Sequence, residues 1–314
     1  MIKVGLVGAR GYVGREFIRL LDEDERFSLT FASSRQLSGK PLGTSPGLAQ
    51  LRRFGSLEAV EMSPKDVAAT SVDVIILGLP NGMAAPYVAA LDAEAHSAII
   101  IDLSADYRHK EGWLYGAPEI FAAQLPGARR IANPGCYATA ANLGLWPLRD
   151  SLSGPASVFG VSGFSGAGTT PGPKNDPERL EANLLPYGFG GHGHEAEIER
   201  VTGLDIVFAP HVAAFFRGLI VTITAPLSSP MTVDEVYARF EAAYADCPNV
   251  IVQAEFPEIA SVAGRDVCMI GGFAVSKQGR MLTYSSALDN LRKGAATQAM
   301  ENIRLACGLD DAGA

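Results

Sequence analysis

The stretch at residues 2–14 reads Ile2-Lys3-Val4-Gly5-Leu6-Val7-Gly8-Ala9-Arg10-Gly11-Tyr12-Val13-Gly14, and an amphipathic segment follows it at once. The apolar run predicts a strand over Ile2–Val7, and the later spacing predicts a helix over Arg15–Asp22. A strand, a glycine turn and a helix in this order bring backbone N–H groups to a helix N-terminus, which suits a pyrophosphate. The alternative is a tight turn that binds nothing. The pattern predicts a Rossmann-type nucleotide-binding domain whose dinucleotide contacts Gly8, Arg10, Gly11, Tyr12, Val13 and Gly14.

Composition narrows the class of protein. With 314 residues, 47% hydrophobic and 19% charged, the chain suits about two soluble globular domains. Its net charge of -8 argues against a nucleic-acid or anionic-membrane surface. No apolar run approaches the roughly 20 residues of a membrane span, and a strand beginning at residue 2 argues against a cleaved signal peptide. The four cysteines, Cys136, Cys247, Cys268 and Cys307, show no CxxC spacing, so we expect neither a zinc site nor a disulfide framework. We therefore expect a protein of the cytoplasm, where cysteines stay reduced.

The end of the second predicted strand, Ser28–Ala32, bears on the cofactor. NAD enzymes usually carry Asp or Glu there to bind the ribose 2′-hydroxyl. This chain instead continues Ser33-Ser34-Arg35. Two hydroxyls and a guanidinium suit a 2′-phosphate, which favours NADP(H) over NAD(H). The alternative is a solvated loop with an incidental arginine.

Further strands continue the α/β pattern. Val72–Leu79 and Ser97–Leu103 are nearly all apolar, which predicts buried parallel strands, and Arg130–Ala132 predicts another short one. Open α/β sheets bind ligands at the carboxyl ends of their strands. Since Cys136 comes soon after the last of these strands, we expect it at the ligand edge.

Cys136 lies in the run Ala132-Asn133-Pro134-Gly135-Cys136-Tyr137-Ala138-Thr139, before a predicted helix over Ala138–Leu145. At a helix N-terminus, unpaired backbone N–H groups and the macrodipole favour the thiolate. A thiolate attacks carbonyl carbon, so the position indicates covalent catalysis. The alternative is a buried structural cysteine.

The second half changes character. Its predicted strands, which suit a mixed or antiparallel sheet, are Val158–Ser162, Ile206–Ala209, Leu219–Ala225 and Met269–Ser276. A helix over Val233–Tyr244 follows Thr232 as N-cap, and a final helix is predicted over Asp289–Ala306. We predict a nucleotide-binding domain at residues 1–137 and 289–314, and an α+β catalytic and dimerisation domain at residues 138–288.

The pair His192-Gly193-His194 supplies an acid/base candidate. It precedes Glu195-Ala196-Glu197-Ile198, a predicted helix start. We choose His194 as the acid/base group and His192 as a substrate contact, although the spacing alone leaves the two interchangeable. An HxH pair could also bind a metal on one strand face. We predict no metal, because no convincing third ligand is evident.

These pieces together resemble the N-acetyl-γ-glutamyl-phosphate reductase family, the arginine-biosynthesis branch of the aspartate-semialdehyde-dehydrogenase-like superfamily. The resemblance runs along nearly the whole chain, in family order. The matching runs are Gly8–Gly14, Ser33–Arg35 with Gly39-Lys40, Ile101–Arg108, Tyr115–Glu119, Asn133–Tyr137, Val161–Gly163, Ser165–Gly168, His192–His194 before Glu197-Ile198, Pro210-His211, Arg217-Gly218 and Asp289–Ala295.

The resemblance implies a glyceraldehyde-3-phosphate-dehydrogenase-like fold and NADPH-dependent reduction of an acyl phosphate through a thioester on Cys136, with His194 moving protons. It places the glycine-rich loop, with Ser165 and Gly166, by the substrate phosphate and the cofactor. Arg108 and Arg217 are candidates for binding phosphate or carboxylate, or else form ordinary ion pairs. It also implies a homodimer or homotetramer.

Three features depart from the family pattern. Asn81 follows Leu79-Pro80 where a histidine is usual, Gly193 replaces the arginine of His-Arg-His, and the loop Thr169–Pro177 is Pro-rich. These departures bear on the identity of the substrate's acyl group more than on the type of reaction. A substrate with a different N-blocking group is therefore an alternative, and Gly193 could leave room for a bulkier group. An aspartate-semialdehyde dehydrogenase and a non-catalytic NADP-sensing regulator are the rival interpretations.

Overall fold

The computed structural model describes residues 1–309 of the chain. Within them thirteen strands form: β1 (Ile2–Val7), β2 (Phe27–Ser33), β3 (Val74–Leu77), β4 (Ile99–Asp102), β5 (Leu114–Tyr115), β6 (Arg130–Ala132), β7 (Ala156–Gly163), β8 (Leu184–Pro186), β9 (Ile206–Ala213), β10 (Leu219–Pro226), β11 (Val250–Val252), β12 (Cys268–Val275) and β13 (Met281–Leu288).

The same residues form ten α-helices. They are α1 (Tyr12–Glu23), α2 (Pro64–Ala68), α3 (Ala85–Ala93), α4 (Pro118–Phe121), α5 (Cys136–Leu145), α6 (Pro177–Leu180), α7 (Gly193–Thr202), α8 (Val233–Tyr244), α9 (Ile259–Val262) and α10 (Thr297–Ala306). None of the helices described is both long enough and apolar enough to cross a membrane.

The first of two compact units comprises, among the described residues, 1–134 and 295–309. Its six strands are all parallel, in the order β2-β1-β3-β4-β6-β5. The core of this unit contains Leu6 from β1, Phe17 from α1 and Ile303 from α10, all fully buried. The predicted Rossmann-type parallel sheet is confirmed.

The second unit, Gly135–Gly294, contains a seven-stranded mixed sheet. Its strand order is β11-β12-β13-β10-β7-β9-β8, with β7/β9 and β11/β12 parallel and the other pairs antiparallel. The core includes Ile198 of α7 and Phe240 of α8. Because side chains alternate along a strand, the other face bears residues such as Phe159 and Val207, which are exposed. The predicted α+β domain with a mixed sheet is confirmed.

One helix prediction is wrong in its extent. The segment predicted as a single helix over Asp289–Ala306 contains a π-helical turn, Arg292–Ala296, before α10 begins. The Asp289 carboxylate accepts hydrogen bonds from the N–H groups of Leu291 and Arg292, so it caps the turn from outside. The two units divide between residues 134 and 135 and between residues 294 and 295, so Cys136 lies in the second unit. Residues 310–314, which belong to the predicted first domain, lie outside the described residues.

Candidate active site

Cys136 is the first residue of α5, as the Pro-Gly turn before it predicts. Gly135 is the N-cap residue in an extended conformation, and within residues 1–309 no side chain caps this helix end. The helix is buried along nearly its whole length because its residues are small: a Cβ on Gly144 would lie 2.5 Å from Ile223 Cδ1. A Cβ on Gly294 would lie 2.8 Å from Cys136 Cβ, so the backbone of residue 294 covers the cysteine. The thiol is therefore held at a helix N-terminus, where the thiolate is favoured.

Glu197 connects this helix end to a histidine. The residue is 1% exposed, and its Oε2 accepts a hydrogen bond from the Gly135 N–H at 3.0 Å. Its Oε1 lies 3.9 Å from His194 Nε2. One buried carboxylate thus accepts a hydrogen bond from the residue before Cys136 and lies close to the imidazole of His194. Glu197 was not predicted as a site residue, although its spacing of one helical turn from His194 was a signal for it.

The two histidines differ in their contacts. His192 is the N-cap of α7, and its Nδ1 accepts a hydrogen bond from the His194 N–H at 3.2 Å. The two rings lie 4.7 Å apart, and His194 lies 6.0 Å from the ring of Tyr137. His194 also faces Glu197, so it is the histidine that the structure brings to the end of α5. His192 lies beside it, next to Tyr187 at 5.5 Å between ring centroids.

Two tyrosines complete this part of the second unit. The Tyr137 hydroxyl donates to the His211 carbonyl at 2.6 Å. Burial chiefly raises the pKa of Tyr137 well above its usual range, and the Tyr187 charge adds to the effect. Burial also raises the pKa of Tyr187, followed by negative charge at Cys136. Both phenols therefore stay protonated at neutral pH, and Tyr187 lies within electrostatic reach of Cys136.

Arg217 and Ser165 belong to a second polar cluster in this unit. Arg217 Nε donates to Asp289 Oδ2 at 2.6 Å, and its Nη2 donates to Oδ1 at 3.3 Å. Asp289 is fully buried. The next residue, Asn290, accepts from the Gly218 N–H at 2.7 Å and donates to Ser165 Oγ at 2.9 Å. Arg217 therefore forms an ion pair, which was one of the two interpretations that the sequence allowed. Asn290 orients Ser165.

Glycines at the end of β7 and in the loop that follows allow close packing. A Cβ on Gly163 would lie 2.6 Å from the Phe216 carbonyl oxygen, and one on Gly166 would lie 3.3 Å from Ser162 Oγ. Gly168 ends the loop with a φ of 78°, in the left-handed region that favours glycine. The loop therefore holds its backbone, and Ser165 within it, in one arrangement.

In the first unit, the glycine turn is tied to the end of β2. The N–H groups of Gly8 and Ala9 donate to the Ser33 carbonyl at 2.9 and 3.1 Å. Gly8 has a φ of +100°, and a Cβ there would lie 2.0 Å from the Gly78 carbonyl oxygen. A Cβ on Gly14 would lie 2.5 Å from the Gly8 carbonyl oxygen. A side chain is therefore excluded at Gly8 and at Gly14, which keeps the backbone open to close approach of a dinucleotide.

The helix start itself offers backbone donors. Gly11 is the N-cap of α1, and among the described residues no side chain caps that end. The first-turn residues Tyr12 and Val13 therefore present N–H groups of the kind that bind phosphate at helix N-termini. Arg10 donates to Gln36 Oε1 at 2.5 Å, across from the residues that follow β2.

The Ser33-Ser34-Arg35 run lies at the carboxyl end of β2. The Ser33 hydroxyl accepts from the Met62 N–H at 3.3 Å, and the Ser34 N–H donates to the Val60 carbonyl at 2.8 Å. Arg35 is exposed. The structure therefore anchors both serines beside the glycine turn and leaves the guanidinium at the surface.

Arg108 is also in the first unit, where it is 8% exposed. Its Nε donates to the Asn133 carbonyl at 2.9 Å, and its Nη2 donates to the Leu103 carbonyl at 3.2 Å. Asp102 nearby is fully buried, and burial raises its pKa despite two hydrogen bonds from Ser104. Arg108 thus holds two loop ends together at the carboxyl edge of the parallel sheet.

Comparison with known proteins decides the family. The "Semialdehyde dehydrogenase, NAD binding domain" family matches residues 3–128, and the "Semialdehyde dehydrogenase, dimerisation domain" family matches residues 136–290. A protein of Xanthomonas axonopodis pv. citri named N-acetyl-gamma-glutamyl-phosphate reductase is 45% identical over 308 residues, covering 98% of this chain and 96% of its own. The chain belongs to the N-acetyl-γ-glutamyl-phosphate reductase family. A relative of that name in Xylella fastidiosa is 44% identical, covering 98% of this chain and 93% of its own.

Solved structures agree on the fold. A probable aspartate-semialdehyde dehydrogenase of Pseudomonas aeruginosa superposes with a TM-score of 0.77 at 19% identity, covering 97% of this chain and 98% of its own. An aspartate semialdehyde dehydrogenase with NADP from Candida albicans also has a TM-score of 0.77, at 15% identity and the same coverage. The N-acetyl-γ-glutamyl-phosphate reductase family therefore shares its two-unit fold with these oxidoreductases, and its first unit is a nicotinamide-dinucleotide-binding domain.

Proposed function

We propose that the chain reduces N-acetyl-γ-glutamyl phosphate to N-acetylglutamate 5-semialdehyde and phosphate with NADPH, as a step of arginine biosynthesis in the cytoplasm. The relatives named for this activity are about 45% identical over 98% of the chain. The observation that carries the chemistry is the Glu197 carboxylate, which binds the backbone beside Cys136 and also faces His194.

Cys136 is the nucleophile of this proposal. Its thiolate attacks the γ-carbonyl carbon of the acyl phosphate, a carbon–sulfur bond forms, and the carbon–oxygen bond to phosphate breaks. The leaving phosphate takes the electron pair, and a thioester remains on Cys136. The N–H groups of the first turn of α5 stabilise the negative charge that develops on the carbonyl oxygen.

His194 serves as the acid/base group and Glu197 positions it. The proton released when the thiol ionises passes to the imidazole, which stands beside a buried carboxylate that stabilises its charged form. The same imidazolium can return a proton when the reduced thiohemiacetal collapses to the aldehyde and free cysteine. His192, which packs on Tyr187, contacts the substrate rather than moving its protons.

The residues present in the first unit fit NADP(H). The fit rests on two glycines of the turn, Gly8 and Gly14, where no side chain can be accommodated, and on the start of α1, whose N–H groups no side chain caps and which suits the pyrophosphate. Ser33, Ser34 and Arg35 would bind the 2′-phosphate, with Arg10 beside them. When bound, the cofactor supplies the hydride that reduces the thioester. We assign Gly166 to the cofactor side of the glycine-rich loop.

Three further residues are proposed to bind the substrate. Ser165 accepts a hydrogen bond from Asn290, so its own proton can be donated to an anionic oxygen. Arg108 and Arg217 are already engaged with carbonyls and with Asp289, respectively, and would bind through guanidinium N–H groups directed elsewhere.

The test is phosphate-dependent reduction of NADP, and separately of NAD, with purified protein and N-acetylglutamate semialdehyde or aspartate semialdehyde. We expect NADPH formation with the acetylated substrate, lost by at least about a thousandfold in Cys136→Ser. Cys247→Ser, at another partly buried thiol of the second unit, is the matched control and should keep activity. Turnover of aspartate semialdehyde alone would assign the sister activity. No turnover of either semialdehyde would indicate that the substrate has a different acyl group or that the protein is not an enzyme.

We also propose a homodimer through the outer face of the mixed sheet. That face exposes Phe159 and Val207, and the matching family is described as a dimerisation domain. Adjacent exposed apolar side chains on one sheet face mark protein–protein surfaces. Light scattering on the purified protein distinguishes a dimer from a tetramer or monomer.

A further inference from the structure

The Pro-rich loop of the second unit is fixed by its own polar contacts. Asn175 Nδ2 donates to the carbonyls of Gly168 and Thr170 at 3.0 and 2.9 Å, and its Oδ1 accepts from the Gly172 N–H at 2.7 Å. Prolines within the segment further reduce the conformations that it can adopt. The backbone at Lys174, the residue before Asn175, is therefore held in a defined conformation.

The Lys174 ammonium lies over an aromatic ring that belongs to the site. Its Nζ is 4.5 Å from the ring centroid of Tyr187, within range of a cation–π interaction. Tyr187 in turn packs on His192 and lies within electrostatic reach of Cys136. Among the described residues, no carboxylate forms an ion pair with this lysine. The exposed Lys174 ammonium thus lies one aromatic ring away from His192.

An acyl phosphate with a free carboxylate needs such a cation. Of the arginine candidates, Arg217 is neutralised by Asp289. Gly193 carries no side chain at the position where the family pattern has arginine, and no described atom lies within 4 Å of a Cβ placed there. The position beside His192 and His194 is therefore open, and the nearby Lys174 can supply the charge.

We propose that Lys174 binds the α-carboxylate of the substrate and so contributes to substrate specificity; the inference rests on the proposed function. The phosphate is bonded through its oxygen to the carbon that Cys136 attacks, so the groups that bind phosphate must lie near the thiol. The α-carboxylate is at the opposite end of the substrate. A cation beyond the Tyr187 ring suits that distal group.

The experiment compares Lys174→Met with Lys277→Met, an exposed lysine in the turn between β12 and β13. KM is measured separately for N-acetylglutamate semialdehyde, phosphate and NADP in the oxidative direction. We expect Lys174→Met to raise KM for the semialdehyde about ten- to a hundredfold, the range of a charge-assisted hydrogen bond. KM for phosphate and NADP should stay within about twofold of wild type, Lys174→Arg should restore most of the affinity, and Lys277→Met should change nothing.

A substrate analogue makes the test sharper. With the carboxylate of the semialdehyde replaced by a carboxamide, wild type should lose affinity, whereas Lys174→Met should bind both forms equally. A rise in KM for phosphate instead of semialdehyde would overturn the carboxylate assignment. Unchanged KM values in an active background would overturn the role of Lys174 while leaving the proposed function standing. Lack of wild-type turnover would overturn the proposed function and this inference with it.

Discussion

Replacing Glu197 with glutamine removes a buried charge but preserves shape. The carboxylate is 1% exposed and lies 3.9 Å from His194 Nε2, with a 3.0 Å hydrogen bond from Gly135. At an effective dielectric constant of about 20, opposite charges about 4 Å apart attract by about 4 kcal/mol. The amide dipole retains part of this attraction, so we expect a loss of about 2–3 kcal/mol when the imidazole is charged. That loss lowers kcat about 30- to 150-fold.

The assay is steady-state reduction of NADP across pH, with Glu195→Gln as the matched control. Glu195 lies in the first turn of α7, two residues before Glu197, and accepts a hydrogen bond from the Phe208 N–H at 3.1 Å, so the control also loses a carboxylate that accepts a backbone hydrogen bond. In Glu197→Gln, the limb of the kcat profile that reports His194 should move toward lower pH, because a carboxylate favours the protonated imidazole. KM for the semialdehyde should change little.

Two results would refute this role for Glu197. If kcat of Glu197→Gln stayed within about threefold of wild type, the carboxylate would not support the acid/base group. If both glutamine variants lost activity in parallel with their melting temperatures, Glu197 would act through folding rather than through His194.

Further predictions concern the first unit. Gly8→Ala places a Cβ 2.0 Å from the Gly78 carbonyl oxygen at a φ of +100°. Thermal melting should therefore show that the free energy of unfolding falls by at least about 1–3 kcal/mol. Gly11→Ala, whose Cβ would have its nearest contact at 3.5 Å, should have a melting temperature close to that of wild type. Arg35→Ala should raise KM for NADP about tenfold and leave KM for NAD unchanged, which kinetics with both cofactors would check. Burial raises the pKa of Asp24, but hydrogen bonds from neighbouring arginines outweigh it and lower the pKa to about 2. The stability advantage of wild type over Asp24→Asn, present at neutral pH, should therefore shrink in denaturant titrations as pH falls from about 4 towards 2.

Local signals predicted the elements best. The predicted helix over Val233–Tyr244 was correct at both ends, and its start is marked by the capping box of Thr232 and Glu235, which are close together in the sequence. The strand Ile2–Val7 was likewise correct, since a continuous apolar run bounded by glycine leaves few alternatives. The final helix was wrong in extent because a carboxylate at Asp289 binds the backbone just ahead of it, and helical periodicity does not show that contact.

Contacts between residues that are distant in the sequence could not be predicted from it. The pairing of Arg217 with Asp289 joins positions 72 residues apart, so the sequence left the arginine open between ligand binding and an ion pair. The hydrogen bond from Gly135 to Glu197 spans 62 residues. By contrast, the histidine pair was visible because both members open one helix. The sequence thus indicated Cys136 and His194 as candidates, while their contacts with buried carboxylates and distant backbone became visible only in the fold.

The departures from the family pattern have different physical consequences. Asn81 Oδ1 accepts from the Ala105 N–H at 3.0 Å, so an amide holds two loops of the first unit together where a histidine is usual. That role is structural and needs no proton transfer. Gly193 removes a charge but disturbs no packing, since no described atom lies within 4 Å of a Cβ there. Gly193→Arg should therefore fold normally. If Lys174 replaces the missing cation, this variant should also restore semialdehyde affinity to Lys174→Met, a rescue that a purely steric role for the glycine cannot produce.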